Sequence, residues 1–524
     1  MQKHLLYILL AGACLAGSVR ASGSSSEIEV GTRSFLWIRP QFRSVDPIYL
    51  SGFRNNRLHA AEDCWGGALQ VVLFGGKTTK EDELARYFLP FSKTSILVGE
   101  DQAVVIPNSG FDVFSENFNV VTVNGNFQST VSLEPRQSTI ALGIHYRQSF
   151  WCNEECGRGF WASISSPITH VKNNLGFSED VTNDGGGILP AYSNAVPNMT
   201  AAFQQSVWNF SHIALCGKSK TGLADIELKL GYEWLQHEPC HIESYIGILV
   251  PTGNAVEADF LFQPVVGEGK HWGIMLGSYY GIQIWSDDCD DRTLRTEYAI
   301  HAEYLFSKKQ TRSFDLKFKP WSRFLPVYAN QAAALQAAAA PTAGTDANVF
   351  STPGINVFTQ QVNVKPGYSA NFTAALVYDS CSFSAELGYN FFARRAECVK
   401  LACPWQEGPA LRDRFGAGFT RPIRDITGNY FLEESVILAP AVHPLPVPAT
   451  NYADSIITQD QLDLVTASQP CGISHTFYGS IGCDFDTWCD YPAFANIGGQ
   501  YEFSKSNNAM VNRWTVWGKV GISF

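Results

Sequence analysis

Residues 224–234 read ADIELKLGYEW, and their alternation decides the architecture. Ala224, Ile226, Leu228, Leu230, Tyr232 and Trp234 are apolar, whereas Asp225, Glu227, Lys229 and Glu233 between them are charged. Side chains of a strand point alternately to its two faces, so this stretch has a greasy face ending in aromatics and a charged face. After a turn at His237-Glu238-Pro239-Cys240 the pattern resumes, with Ile242, Ile246, Ile248 and Val250 opposite Glu243, Tyr245 and Gly247. That is a hairpin.

The same pattern recurs. Tyr298, Ile300, Ala302, Tyr304 and Phe306 oppose Glu297, His301 and Glu303; Phe314, Leu316 and Phe318 oppose Asp315, Lys317 and Lys319. Phe383 to Phe391 oppose Glu386 and Arg394, and Ile140 to Tyr146 oppose His145 and Arg147. Each segment runs about 10 residues, the length of a tilted strand that crosses a bilayer. Aromatics gather at the ends of the apolar faces, as interfacial girdles require, which favours a membrane barrel over a soluble sandwich. Candidate strands cover 33–44, 64–75, 118–133, 137–151, 158–172, 203–217, 221–236, 241–251, 270–286, 295–307, 311–326, 366–380, 381–395, 473–485, 492–504 and 511–524. The expected fold is therefore all-β: an antiparallel transmembrane barrel of about 16 strands, with 14 to 18 compatible, and long external loops. Counting back from the last strand puts 176–199, 287–294, 327–365 and 396–472 outside and leaves 252–269 as a long periplasmic connection. Residues 76–117, with a helix-like stretch from Thr79 to Leu89, are expected to form a small plug or a periplasmic insertion.

Composition agrees. The chain has 524 residues, of which 17% are charged, with 35 Phe, 20 Tyr, 13 Trp and 44 Gly. A mean hydropathy of −0.06 and the lack of long apolar runs beyond the N-terminus exclude a helical membrane protein. A net charge of −11 without a basic block excludes a nucleic-acid partner. Residues 1–21 read as a signal peptide: Lys3, an apolar stretch from Leu5 to Gly17, and small residues at Val19 and Ala21. Cys14 after Ala11-Gly12-Ala13 admits a lipoprotein reading, though a lipobox begins with a larger aliphatic residue. One barrel domain, residues 22–524, is expected to follow.

Of the 13 cysteines, three close pairs are disulfide candidates: Cys152 with Cys156, Cys398 with Cys403, and Cys483 with Cys489. None has the spacing of a zinc site, and no metal or cofactor is expected. No Gly-x-Ser-x-Gly or His-Glu-x-x-His motif accompanies the histidines, so no enzyme activity is expected.

The last strand carries the most specific signal. Trp514, Val516, Val520, Ile522 and the terminal Phe524 share one face, opposite Arg513, Thr515, Lys519 and Ser523. An aromatic terminus in register with the apolar face resembles the assembly signal of bacterial outer-membrane β-barrel proteins of the porin and major outer-membrane protein type. In cysteine content the chain also resembles the major outer-membrane proteins of obligate intracellular bacteria. The resemblance rests on the export signal, the alternating strands and the terminus. It implies the bacterial outer membrane, contact with its lipid and recognition of the last strand by the barrel-assembly machinery, and it is compatible with a homotrimer, although the sequence gives no oligomer count. The function expected is a porin passing small hydrophilic solutes and ions. Its pore lining would comprise Asp225, Glu227, Lys229, Glu233, Glu243, Glu297, His301, Glu303, Asp315, Lys317, Lys319, Glu386, Arg394 and Lys519. Two alternatives are a structural or adhesive barrel with disulfide-linked surface loops, and a hydrophobic-substrate transporter.

Overall fold

A computed structural model describes residues 32–54, 65–100, 111–153, 157–190, 192, 194–237, 239–287, 291–317, 319–334, 351–411, 422–424, 430–432, 456–488, 491–504 and 510–524. Twelve long strands form a closed antiparallel barrel: β1 (Gly67–Thr79), β2 (Arg136–Asn153), β3 (Arg158–Asn174), β4 (Ile226–His237), β5 (Cys240–Val250), β6 (Gly273–Ser286), β7 (Arg292–Leu305), β8 (Gly367–Ser380), β9 (Phe383–Arg394), β10 (Gly472–Trp488), β11 (Tyr491–Phe503) and β12 (Asn512–Ser523). Each pairs with its neighbour in sequence, and β12 closes on β1 from Ala68 opposite Ser523 to Thr79 opposite Asn512. Closure leaves no bare edge, which is what lets a sheet sit in lipid.

One barrel strand exchanges partners along its length. β3 pairs with β4 only over Gly159–Ser165; above Pro167 its partner is the short strand Lys218–Leu223. Proline supplies no ladder N–H, and here its carbonyl instead accepts from the Ala224 N–H at 2.9 Å.

The alternation read from the sequence faces as lipid demands: Leu228 is 37% exposed on the outer surface and Glu227 is 1% exposed inside. Aromatics ring both ends of the outer wall. Phe160, Tyr232 and Trp234 form one chain of rings with 4.8 Å centroid spacings near the β4–β5 turn, and Tyr304 and Tyr368 meet at 4.8 Å at the opposite end. The even-stranded closed ring, the apolar belt and the two girdles are the architecture of a bacterial outer-membrane β-barrel. Ile246, 66% exposed at mid-height of β5, tests it. Ile246→Lys is expected to lower the stability of the folded barrel in bilayers by about 2–4 kcal/mol, read from its denaturant midpoint. An unchanged midpoint would place this face against something other than hydrocarbon.

The barrel has twelve strands, not sixteen, because four candidate spans do not join it. Residues 33–44 run inside the lumen. The other three, 118–133, 203–217 and 311–326, belong to a cap. Their apolar residues, among them Phe118, Phe203, Trp208, Trp321 and Phe324, fill a core shared with Phe88, Phe358 and Trp405. Trp208 stacks on Phe324 at 5.1 Å and Phe358 on Trp405 at 6.1 Å. Alternation there serves protein packing rather than lipid.

Two connections change sides with the strand count. The connections from β2 to β3, β4 to β5, β6 to β7, β8 to β9 and β10 to β11 are two to five residues long and join strand ends on the side that holds Gly67 and Phe524. The connections from β1 to β2, β3 to β4, β5 to β6, β7 to β8, β9 to β10 and β11 to β12 leave strand ends on the opposite side, and all but the last are more than twenty residues long. Short turns face the periplasm and long loops the exterior. Hence 287–294 is not an outside loop and 252–269 is not periplasmic. Of 76–117, residues 76–79 end β1 and the other described residues belong to the cap, where the helix Glu81–Phe88 buries Leu84, Ala85 and Phe88; residues 101–110 lie outside the described residues. Of the Ala-rich stretch 332–340, residues 335–340 lie outside the described residues, as does most of 412–455.

Cys152 is disulfide-bonded, whereas Cys398, Cys403 and Cys483 carry free thiols. The expected pairings of Cys398 with Cys403 and of Cys483 with Cys489 are therefore corrected. Cys398–Leu401 is a strand paired with Val362–Lys365, and extended backbone advances about 3.3 Å per residue, carrying the two thiols apart. Cys156 and Cys489 fall outside the described residues.

Candidate functional site

Alternation sends the charged residues of every strand into a lumen, and what they meet there is residues 32–54 of the same chain. This plug segment carries only one helical turn, Pro47–Leu50, and two prolines, Pro40 and Pro47. An extended chain without partners of its own must have its buried N–H and C=O groups met from outside. The barrel wall does so. Arg513 donates to the Arg39 carbonyl at 2.6 Å, and Lys519 donates to the carbonyls of Ile48 and Tyr49 at 2.9 and 3.1 Å. Gln70 donates to the Tyr49 carbonyl at 3.0 Å, and the Ser44 and Gly52 N–H groups donate to Glu227 and Glu386 at 3.1 and 3.2 Å. Gly52, at φ 68°, lies so close to the wall that a Cβ there would stand 2.8 Å from the Asn496 amide.

Ion pairs hold the plug in register. Arg39 pairs with Asp46 and stands 3.9 Å from Glu502. Arg43, 5% exposed, pairs with Glu303, with Glu268 at 3.0 Å and with Glu227 at 3.6 Å, so one guanidinium joins β4, β7 and the external loop 251–272. Arg54 meets Glu297 at 2.5 Å at the turn end. The loop is clamped in turn: Asp225 accepts from the N–H groups of Gly253 and Glu268 at 2.9 and 2.6 Å.

Burial is the largest influence on Glu268 and pushes its carboxyl up to about 8; Arg43 opposes the shift, and Glu303 and Asp225 add to it. Seated, Glu268 therefore binds a proton more tightly than it would when released into water. The seated loop is most favoured at low pH and loses that advantage as pH rises from the ordinary carboxylate range to about 8. Amide exchange across 251–272, corrected for intrinsic rate, is expected to quicken from pH 5 to pH 8. Glu268→Gln, which keeps the neutral form, is expected to flatten the dependence; an equally steep one would remove Glu268 as its source.

Most of the expected pore lining faces this plug or the wall beside it. Glu227, His301 and Glu303 surround Arg43, and Lys229 donates to Ser44. Glu233 and Glu243 bind Arg147, whose guanidinium lies 4.1 Å over the Trp161 ring. Glu297 stands 3.3 Å from His241, Glu386 accepts from Tyr478 at 2.8 Å, and Arg394 lies 5.0 Å over Trp37. Asp315, Lys317 and Lys319 do not line the lumen. They lie in the cap, where Asp315 pairs with Arg323 at 3.2 Å and accepts from Thr32 at 2.8 Å. At the C-terminus Trp514, Val516, Val520 and Phe524 are exposed outward and Ile522 is half-buried, with Arg513, Thr515, Lys519 and Ser523 inside.

The glycines of the inner wall do not leave water either. Gly231, Gly388 and Gly498 are covered by Trp161, Tyr478 and Trp517, whose ring atoms lie within 2.4 Å of where a Cβ would stand. Cavities of about 60, 40 and 30 Å³ lie between plug and wall. The first, at the loop end, is walled by Phe35, Trp37, Tyr368 and Phe392 with Arg39, Arg312 and Arg394 among them. A cavity needs about 10–15 Å³ to admit one ordered water, so this one has room for no more than a few. Many of the charges expected to line a wet pore are partners of an internal segment. Arg39, Arg43 and Asp46, which carry that segment, were not among the expected site residues.

No protein-family profile matches the sequence, and no curated protein matches it. Solved structures of similar shape include an outer membrane channel from Pseudomonas putida F1, at 8% identity and TM-score 0.36, covering 88% of this chain and 96% of that one. The transport unit of the autotransporter AIDA-I from Escherichia coli is 7% identical, with TM-score 0.30 over 88% of this chain and 90% of that one. A FadL homologue from Pseudomonas aeruginosa is 7% identical, with TM-score 0.27 over 95% of this chain and 97% of that one.

Proposed function

We propose that this protein is a gated outer-membrane channel for small apolar or amphiphilic molecules, and that the plugged barrel is its closed state. The observation that carries the reading is the passage of residues 32–54 through the lumen with their charges met by the wall. A diffusion porin keeps a standing aqueous path; a gated channel holds an obstruction that its substrate or a partner displaces. This is the hydrophobic-substrate alternative, with the plug at 32–54 rather than at 76–117.

The loop-end cavity supports the substrate class. Its guanidinium groups lie over aromatic rings, Arg312 at 3.1 Å from the Phe35 centroid and Arg39 at 4.1 Å from that of Phe392. Such a wall accepts a flat apolar body and tolerates a negative group at its edge. Proteoliposomes are expected to take up a small aromatic acid such as benzoate faster than protein-free vesicles, with saturation, while swelling little in arabinose or sucrose. Swelling that falls smoothly with sugar size, without saturable aromatic uptake, would instead make it a diffusion pore.

A further inference from the structure

On one side of the ring the wall continues past the aromatic girdle. Three strands, Lys308–Ser313, Thr359–Lys365 and Cys398–Leu401, form an antiparallel sheet at the loop end, each separated from β7, β8 or β9 by no more than three residues. Register fixes its rows: Lys309 lies opposite Asn363 and Asn363 opposite Lys400, while Lys365 lies opposite Cys398. Side chains alternate between the two faces, and Gln310, Arg312, Val362 and Val364 are buried on one of them. Lys309, Lys365 and Lys400 therefore share the other face, where all three are exposed. Arg395 joins them. Arg394 beside it is buried, Arg395 is exposed, and its N–H donates to the Tyr368 carbonyl at 3.0 Å.

This cationic face stands directly over the end of the lipid belt. Phe306, Trp272 and Tyr368, 45%, 52% and 63% exposed, form the girdle beneath it. The Lys365 ammonium lies 5.6 Å from the centroid of the Tyr304 ring, and that ring meets Tyr368 at 4.8 Å. Aromatic girdles mark the level of lipid headgroups, so the cations stand at headgroup height. Several other exposed cations of the loop end have acidic partners: Lys77 and Arg136 lie 3.9 and 2.5 Å from Glu81, Lys80 lies 3.6 Å from Glu83, and Lys93 pairs with Asp112. Among the described residues, none of Lys309, Lys365, Arg395 and Lys400 pairs with a carboxylate. Glu397, two residues after Arg395, is turned inward, 3.5 Å from Arg312 and accepting from the Gln469 N–H at 2.8 Å.

We propose that this face docks the phosphate groups of an outer-leaflet glycolipid, whose acyl chains lie along the apolar wall below Trp272, Phe306 and Tyr368. Lys and Arg groups without acidic partners are free to make charge-assisted hydrogen bonds to phosphate oxygens. Each basic group near a membrane surface adds to the attraction for anionic lipid. Cations and apolar wall are continuous at this place, an arrangement that a phosphorylated lipid uses in full and a free anion uses only in half. The assignment does not depend on what passes the lumen.

Native mass spectrometry of the detergent-folded full chain, titrated with diphosphoryl lipid A, tests it, with heat-modifiable gel mobility selecting the folded fraction of every variant. Lys309→Gln, Lys365→Gln and Lys400→Gln together are expected to weaken binding of the first lipid by about tenfold or more. Arg at the same three positions keeps the charge and is expected to hold the affinity within about twofold. Lys77→Gln, Lys80→Gln and Lys93→Gln together remove as much charge from cations that already have partners, and are expected to change it by less than about twofold. Lipid A stripped of its phosphates should bind the parent and the first triple variant alike, and millimolar inorganic phosphate should leave the bound lipid in place. Equal affinity of the parent and the first triple variant for diphosphoryl lipid A would overturn the proposal. So would an equal loss in both Gln triples, which would reduce the effect to net charge, or displacement by inorganic phosphate, which would make this a site for free anions.

Discussion

Removal of residues 32–54 is expected to turn a quiet barrel into a steadily conducting one. The ring does not need the plug to stand. Its ladders run strand to strand, and its Arg147–Glu233–Glu243 cluster is satisfied within the wall. What the deletion removes is the material that meets Glu227, Glu303, Glu386, Glu502, Arg513 and Lys519, and those groups would then be hydrated by water filling the vacated space. A barrel of twelve strands is wider than the eight whose side chains fill their own interior, and narrower than the sixteen-stranded porins. Conductance in planar bilayers is therefore expected to rise on the order of tenfold over the intact chain. Inward carboxylates Glu227, Glu233, Glu243, Glu297, Glu303, Glu386 and Glu502 face Lys229, Arg147, Arg394, Arg513 and Lys519. The excess of acids predicts a mild preference for cations, read as a reversal potential in a salt gradient. A folded deletion variant as silent as the parent would mean that the wall, not the plug, closes the lumen.

The second large effect is expected at Arg43. Its guanidinium is the common partner of Glu227, Glu268 and Glu303, all within 3.6 Å. Arg43→Ala leaves those carboxylates buried with Lys229, 3.3 Å from Glu227, as the neighbouring cation. Breaking a buried ion pair from one side costs about 3–5 kcal/mol, because the stranded charge keeps its desolvation penalty. The denaturant midpoint of the detergent-folded protein should fall accordingly, and brief openings should appear in bilayer recordings. Glu303→Gln in the same chain removes one stranded charge and is expected to restore part of the loss, a coupling that separates electrostatics from lost packing over Phe42. If Arg43→Ala changed neither stability nor closure, the ion pairs would be passive fillers and the gate would lie elsewhere.

Much of the fold is legible in the sequence because lipid enforces a simple rule on strands. All twelve barrel strands stand at nearly the positions their alternation predicts, from Ala224–Trp234 outward to the strand closing at Phe524. The errors have one origin. Alternation reports that one face of a segment is apolar, not what covers it, so Phe118, Phe203 and Phe314, which pack a cap, carry the same signal as residues that face lipid. The plug is harder still. In Trp37-Ile38-Arg39-Pro40-Gln41-Phe42-Arg43 the alternation survives, but Pro40 removes a backbone donor that a central strand needs, and it is the available sign that 33–44 is no central strand.

The sequence by itself determined which side chains share a face of each strand, since a strand's period of two is a local property. It could not determine what stands inside the ring. Whether Glu227, Glu303 and Lys519 border water or a polypeptide depends on a segment far away in the chain, as the contacts of Glu227 with Ser44 and of Lys519 with Ile48 show. Charged groups suit either neighbour equally well. Only closure of the ring around residues 32–54 decided between them, because it removed the charges from solvent and left them one another as partners.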